Sequence, residues 1–165
     1  LEAGAIIVNH DTNQGYDNAL NSGFIEADKR NYDAIITFDA DGQHNPEALS
    51  EYISRLRNGT DLVLGIRSNQ ANFAEWLLMV CSKYKFDWQD PLCGMKGYSM
   101  KLYRKQGFFD SYGSIGTELA MFGIVNGYSY VQINVNIFTR SDKPRFYSSL
   151  FSNWLIIRAL FKLYN

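Results

Sequence analysis

The stretch Asp33-Ala-Ile-Ile-Thr-Phe-Asp39-Ala-Asp41-Gly-Gln43-His44-Asn-Pro46-Glu47 decides the reading of this chain. A continuous apolar run leads straight into two carboxylates two residues apart, and then into a helix start. Continuous rather than alternating apolar residues mark a strand buried on both faces, the kind found in parallel sheets covered by helices. On extended backbone, positions i and i+2 point the same way. Asp39 and Asp41 therefore converge at the carboxyl end of a strand, where open α/β sheets place their ligands. Two like charges so close need a neutralising partner. A divalent cation supplies one through hard oxygen ligands, with Gln43 as a further neutral oxygen and Gly42 permitting the tight turn. A cation held there can neutralise a diphosphate as it departs. The plainer alternative is a solvated turn, because Asp and Gly are common turn residues. A calcium loop fails: counted from Asp39, its sixth and twelfth positions need Gly and Glu, and the chain has His44 and Ser50 there.

Outward from this segment the pattern repeats. Downstream, Asn45 can cap a helix, Pro46 suits its first turn and Glu47 favours the positive end of its dipole. Leu49, Tyr52, Ile53 and Leu56 form the apolar stripe, and Gly59 is the stop. Asp61-Leu-Val-Leu-Gly65 reads as another strand. Upstream, Ala5 to Val8 reads as a buried strand, followed by turn chemistry to Gly15 and a helical pattern from Tyr16 through Ala27. Strands alternating with helices predict an α/β fold with a mostly parallel central sheet flanked by helices. In the second half, Ala74 to Cys81 and Thr117 to Val125 read as helices, the latter stopped by Gly127. Asp90 to Tyr98 reads as a loop and a short strand-like stretch. Val131, Ile133, Val135 and Ile137 alternate with polar residues, as in a half-buried strand, and Tyr147 to Tyr164 is a strongly apolar helix. The expected organisation is one α/β domain over 1–146 and an amphipathic helix over 147–165, packed on that domain or at an interface.

The bulk numbers agree with one domain. The chain has 165 residues, 46% hydrophobic and 20% charged, enough to bury a core. Its net charge of −1 offers no global electrostatic case for nucleic acid, so a bound anion needs a local site. Cys81 and Cys93 form no CxxC pair and have no histidine beside them, which speaks against a structural zinc site; a reduced pair is the expectation, with a disulfide the alternative. Leu1 to Val8 has no signal-peptide pattern, and no apolar run reaches the ~20 residues that span a bilayer.

Five segments in order resemble the inverting family-two glycosyltransferases of GT-A fold, the group containing dolichol- and polyprenol-phosphate sugar synthases. They are Asn13-Gln-Gly15-Tyr-Asp-Asn-Ala19 with Gly23; Asp39-Ala-Asp41-Gly-Gln43-His44 with Pro46; Leu64-Gly65-Ile-Arg67; Asp90-Pro-Leu-Cys-Gly94-Met-Lys96; and Glu118-Leu119 through Gly127-Tyr128, with Arg140 and Lys143. The match runs over nearly the whole chain. Asp17 departs from it, standing where the family often has Gly. The family also opens with two strands that hold the nucleotide base, and Leu1 begins after both. The expectation is thus an N-terminally truncated GT-A domain, a fragment of a longer enzyme that binds donor poorly by itself.

The resemblance implies roles. Asp39, Asp41 and Gln43 would hold Mg2+ or Mn2+ against the diphosphate of a nucleoside-diphosphate sugar. Asp90 would be the general base or orient the acceptor, with Glu118 a second acid/base candidate. Arg67, Lys96, Arg140, Lys143 and Arg145 would contact phosphates of donor or acceptor, and Asn13 and Gly15 would lie on the nucleotide side. The implied acceptor is a polyprenyl phosphate or a glycan. Taken singly, each residue has a plainer reading: a turn cap for Asp90, a first-turn helix acid for Glu118, a helix-start residue for His44, solvated surface charge for the cations.

Two rival functions stay on the page. A haloacid dehalogenase-type phosphohydrolase also begins with a strand and Asp-x-Asp, yet it needs a later acidic pair, and no two adjacent carboxylates occur here. An inactive binding or assembly module would work through an exposed sheet edge or the terminal helix. That helix, basic and aromatic, suits either a core or subunit contact, as in a homodimer, or a membrane interface. The expected location is cytoplasmic, including the cytoplasmic face of a membrane.

Overall fold

The computed structural model describes residues 4–39, 42, 44–68 and 73–136. Asp41, Gln43, Arg140, Lys143, Arg145 and the segment 147–165 lie outside the described residues. The described elements are α1 (Tyr16–Lys29), β1 (Ala34–Thr37), α2 (Ala48–Arg57), β2 (Leu62–Arg67), α3 (Phe73–Phe86), β3 (Lys96–Ser99), α4 (Met100–Gln106), α5 (Glu118–Val125) and β4 (Tyr130–Val135).

The four strands form one sheet in the order β1-β3-β2-β4. β2 and β4 pair in parallel, from Leu62 opposite Tyr130 to Arg67 opposite Val135. β3 runs antiparallel to both β1 and β2. Three strands therefore share a direction, as the continuous apolar runs foretold, and β3 is wedged between two of them against the grain. That placement leaves the carboxyl ends of β1 and β2 one strand apart, with the loop that feeds β3 passing between them.

Burial follows the period-two alternation of the strands. Leu62, Leu64 and Tyr98 face a cluster with Phe24, Trp88, Met100, Leu102, Phe109 and Leu119. Val63, Met95, Ile133 and Val135 face the other side, with Tyr52 and Cys93. A sheet covered on both faces explains why β2 reads as uninterrupted apolar sequence.

Three expectations are corrected. Ala5 to Val8 forms no strand, and Ile6, Ile7 and Val8 are about half exposed at 49%, 58% and 46%. An apolar run without a ladder partner gains neither hydrogen bonds nor burial. The second helix begins at Ala48 rather than beside Pro46, because Asn45 accepts the Glu47 N–H at 3.1 Å and so caps a preliminary turn. Finally, α4 follows β3 directly and was not anticipated. Its ends are regular nonetheless: Ser99 accepts the Leu102 N–H, and Gly107 takes a left-handed φ of 90° as the stop.

Candidate functional site

The site builds from the ends of β1 and β2. Two residues beyond Thr37, the Asp39 side chain emerges from the strand end with 40% exposure. Its carboxylate lies against the backbone of Gly94, so closely that a Cβ on residue 94 would collide with Oδ2. Thr37 locks the two segments together: its hydroxyl donates to Gly94 O at 2.6 Å and accepts the Lys96 N–H at 3.1 Å. From the other face, Tyr52 donates to Met95 O at 2.9 Å. Gly65 makes room for the same loop, since a Cβ there would meet Cys93 Sγ, Tyr52 Oη and Met95 O.

His44 closes over Asp39. Its ring is 6% exposed, Nε2 stands 3.5 Å from Asp39 Oδ2, and Nδ1 has no hydrogen-bond partner among the described residues. At that distance the contact orients more than it binds. Tyr16 lies on the same side; burial raises its phenol well above the ordinary range, with the Asp39 charge the next cause.

At the end of β2, Arg67 and Asp90 form a buried bidentate pair. Arg67 Nε and Nη2 donate to the two Asp90 oxygens at 2.8 and 2.9 Å, and the Arg67 backbone N–H donates to Oδ2 at 3.0 Å. Asp90 is 1% exposed. Burial works against the Arg67 charge, but the Asp90 hydrogen bonds outweigh it and push the guanidinium above its ordinary value. Glu75 of α3 also accepts from Arg67 Nη2, at 3.4 Å. Lys96 sits between the two halves, 3% exposed, its Nζ 5.9 Å from the Trp88 ring centroid. Burial pushes its pKa down, and the charges of Asp90 and Asp39 pull the other way. Cys81 and Cys93 are free thiols, and burial raises the Cys93 thiol.

The structure thus brings together Asp39, Arg67, Asp90 and Lys96 of the sequence candidates, and it engages the two acid/base candidates, Asp90 and Glu118, in hydrogen bonds of the fold. Asp90 does not stand open as a base; its oxygens are taken by three donors of Arg67. Glu118 likewise is engaged by a neighbour. Its carboxylate accepts the Ser111 N–H at 2.6 Å and the Ser111 hydroxyl at 2.8 Å, closing the loop ahead of α5. Asn13 and Gly15 shape the turn before α1: Asn13 Oδ1 accepts the Gly15 N–H at 2.9 Å, and Gly15 holds a φ of 87° that side chains resist.

Sequence reasoning missed a second set of polar side chains, which hold the backbone of residues 109–116 ahead of α5. Asp110 accepts the backbone N–H groups of Tyr112, Gly113 and Ser114, and the Ser114 hydroxyl. Asn21 Oδ1 accepts from Phe109 and Asp110. Asp17 accepts the Gly116 N–H at 2.9 Å. Burial pushes the Asp17 carboxyl up to about 6, with the Asp110 charge the second cause. Only its departure from the family's Gly marked Asp17 in the sequence, and the Asp-Ser-Tyr-Gly-Ser turn was the available signal for Asp110.

Of the expected cation ligands, Asp39 alone lies within the described residues, which hold no cluster of three or more metal-binding side chains. What is described fits a hard divalent ion. A partly exposed carboxylate at a strand end is a hard oxygen donor, and the cradle that seats it is one a Cβ at position 94 would fill.

Comparison with known proteins agrees with this geometry. Glucosyl-3-phosphoglycerate synthase from Mycobacterium tuberculosis in complex with Mn2+ and UDP-glucose matches with a TM-score of 0.69 at 17% identity, over 93% of this chain and 56% of that one. The same enzyme with phosphoglyceric acid gives 0.67 at 16% identity, over 93% and 56%. With Mg2+ and UDP it gives 0.65 at 16% identity, over the same shares. The chain spans little more than half the length of these synthases, and the likeness shows their GT-A fold. No curated protein sequence matches the chain. The model of glycosyl transferase family 2 matches residues 1–109. With two thirds of its length under that model and the fold to go with it, the chain belongs to glycosyl transferase family 2.

Proposed function

We propose that this chain is the catalytic part of a metal-assisted, inverting glycosyltransferase that moves a sugar from a nucleoside-diphosphate sugar to a phosphate-bearing acceptor, with polyprenyl phosphate as the acceptor class. The observation that carries the reading is the seat of Asp39 on Gly94, across the β3 lead-in from the Arg67–Asp90 pair. Asp39, with Asp41 and Gln43 beside it in sequence, would hold Mg2+ or Mn2+. Once bound, such a cation supplies positive charge for the departing diphosphate. Asp90 holds the Arg67 fork in place, and Arg67 offers a cationic donor to phosphate oxygens, while Lys96 is too buried to reach them directly. Arg140, Lys143 and Arg145 are proposed to add to that set. The acceptor oxygen attacks the anomeric carbon from the face opposite the leaving diphosphate, which inverts the centre.

The acceptor class follows from the engaged carboxylates. A hydroxyl acceptor needs a base to take its proton. The two acids proposed for that work are committed, Asp90 to Arg67 and Glu118 to Ser111. A phosphate oxygen is already anionic and needs no base, and a cationic Arg67 suits it. The glycan acceptor is therefore the less favoured proposal, and the family match leaves no place for the phosphohydrolase reading. A cytoplasmic location, at or near the inner membrane face, goes with a lipid-phosphate acceptor. Donor-binding calorimetry and transfer assays in Mn2+ test the proposal, with polyprenyl phosphate and a glycan as competing acceptors. Transfer to the phosphate that disappears in Asp39→Asn and Asp41→Asn supports it. Donor binding or turnover indifferent to both substitutions sinks it, and an inert chain points to the binding-module alternative.

A further inference from the structure

His44 is buried to 6% exposure against Asp39. Its ring packs on Phe38, the residue before Asp39, with 5.7 Å between ring centroids. Nε2 stands 3.5 Å from Asp39 Oδ2, and Nδ1 is buried with no hydrogen-bond partner among the described residues. A buried polar atom without a partner lowers stability, and an apolar side chain of similar size would be free of that penalty. Packing therefore does not account for a histidine at this position. The carboxylate it faces does.

The two oxygens of Asp39 have different surroundings. Oδ2 is the one that lies against Gly94, and it is also the one that His44 faces. Among the described residues no group donates to Oδ1. With the imidazole proton on Nε2, where the carboxylate draws it, His44 turns an N–H toward Oδ2 while Phe38 fixes its own ring. At 3.5 Å that N–H guides the carboxylate rather than closing a full hydrogen bond. Asp39 is 40% exposed, so without such a guide an arriving ion would have to order the side chain itself, and that ordering weakens binding. Groups that orient a metal ligand in this way matter: losing one weakens metal binding by about 10–100-fold.

We propose that His44 is a positioning residue of the cation site: it holds Oδ2 of Asp39, leaves Oδ1 for the ion and does not ligate the ion itself. The inference rests on the reading of Asp39 as a cation ligand and adds the residue that orients it. The test is Mn2+ binding to the whole chain, followed by electron paramagnetic resonance, in the native protein and in His44→Leu, His44→Phe, His44→Gln and Asp39→Asn. Thermal melts without metal accompany it. Leucine and phenylalanine fill the space without an N–H, and glutamine returns one. His44→Leu should melt no lower than the native chain yet bind Mn2+ about 10–100-fold more weakly, and His44→Gln should recover most of that loss. Spin-echo modulation of the bound Mn2+ should show no directly coordinated nitrogen. If the leucine variant does not fold, the phenylalanine variant decides; if neither folds, packing accounts for the histidine and the proposal is overturned. Native Mn2+ affinity in a folded apolar variant, a glutamine variant as weak as the leucine one, or a nitrogen coupling that vanishes in His44→Gln would each overturn it as well. Asp39→Asn separates the two layers: native affinity there defeats the cation site itself, whereas affinity lost there and kept in His44→Leu defeats the role of His44 alone.

Discussion

The Asp39 carboxylate rests on the backbone of Gly94 with no room for a Cβ between them. Two segments 55 positions apart in the chain thus form one seat, closed by His44 above and stitched by Thr37 below. Gly94 has no left-handed φ, so the space it leaves, rather than backbone freedom, is the reason for a glycine there.

The expectation for Gly94→Ala is a folded protein with a displaced Asp39. A shift of about 1 Å in such a group costs on the order of a hundredfold in turnover. Thermal melts, Mn2+ binding by electron paramagnetic resonance and donor turnover measure the two effects separately. Unchanged Mn2+ affinity and activity would show that the seat does not matter.

Removing Asp90 leaves a buried guanidinium held only by its weaker contact to Glu75. Breaking a buried ion pair from one side costs about 3–5 kcal/mol; the Arg67 side chain keeps 20% exposure, which places Asp90→Ala near the lower end. Asp90→Asn, which retains one acceptor oxygen, should lose less. Urea unfolding of both variants provides the values. If Asp90 served as a base alone, stability would be untouched and only the rate would fall.

Asp17 predicts a pH dependence. Its carboxyl moves from 3.8 to about 6 on folding, by burial first and the Asp110 charge second. A raised carboxyl binds its proton more tightly folded than unfolded. Its favourable contribution is complete below 3.8 and is lost as pH climbs through about 6. Asp17→Asn keeps an acceptor for Gly116 without the titration. The melting temperature of the native chain should therefore fall relative to the variant between pH 4 and pH 6. Parallel curves across that range would contradict the assignment.

Gly15 has a φ of 87° and open space around its Cα. Gly15→Ala should cost about 1 kcal/mol from backbone strain alone. The loss should be the same with and without a nucleotide sugar, as measured by thermal shift. A loss that grows when donor is added would support the expected place of Gly15 on the nucleotide side.

Much of this protein was legible in its residues. The apolar run into Asp39, the repeat of strand and helix, the β4 alternation and the Gly127 stop are local patterns, and short-range periodicity reports which faces are buried. The order of five modest motifs carried the family. What stayed hidden depends on groups far apart in sequence. β3 is four residues long and its direction is set by its neighbours, so nothing in Lys96 to Ser99 announces that it splits β1 from β2. Ala5 to Val8 carries the right residues for a strand, but a strand exists only with a partner.

The sequence by itself determined that a strand ends in an acid pair and that cations and acids suited to phosphate chemistry occur in the family's order. Only the tertiary structure decided which acids remain available. Whether Asp90 is a base or a clamp for Arg67 turns on three hydrogen bonds from residue 67, and Glu118 on two from Ser111. A carboxylate's role is set by how many of its lone pairs are already taken, and that count belongs to neighbours brought in by the fold.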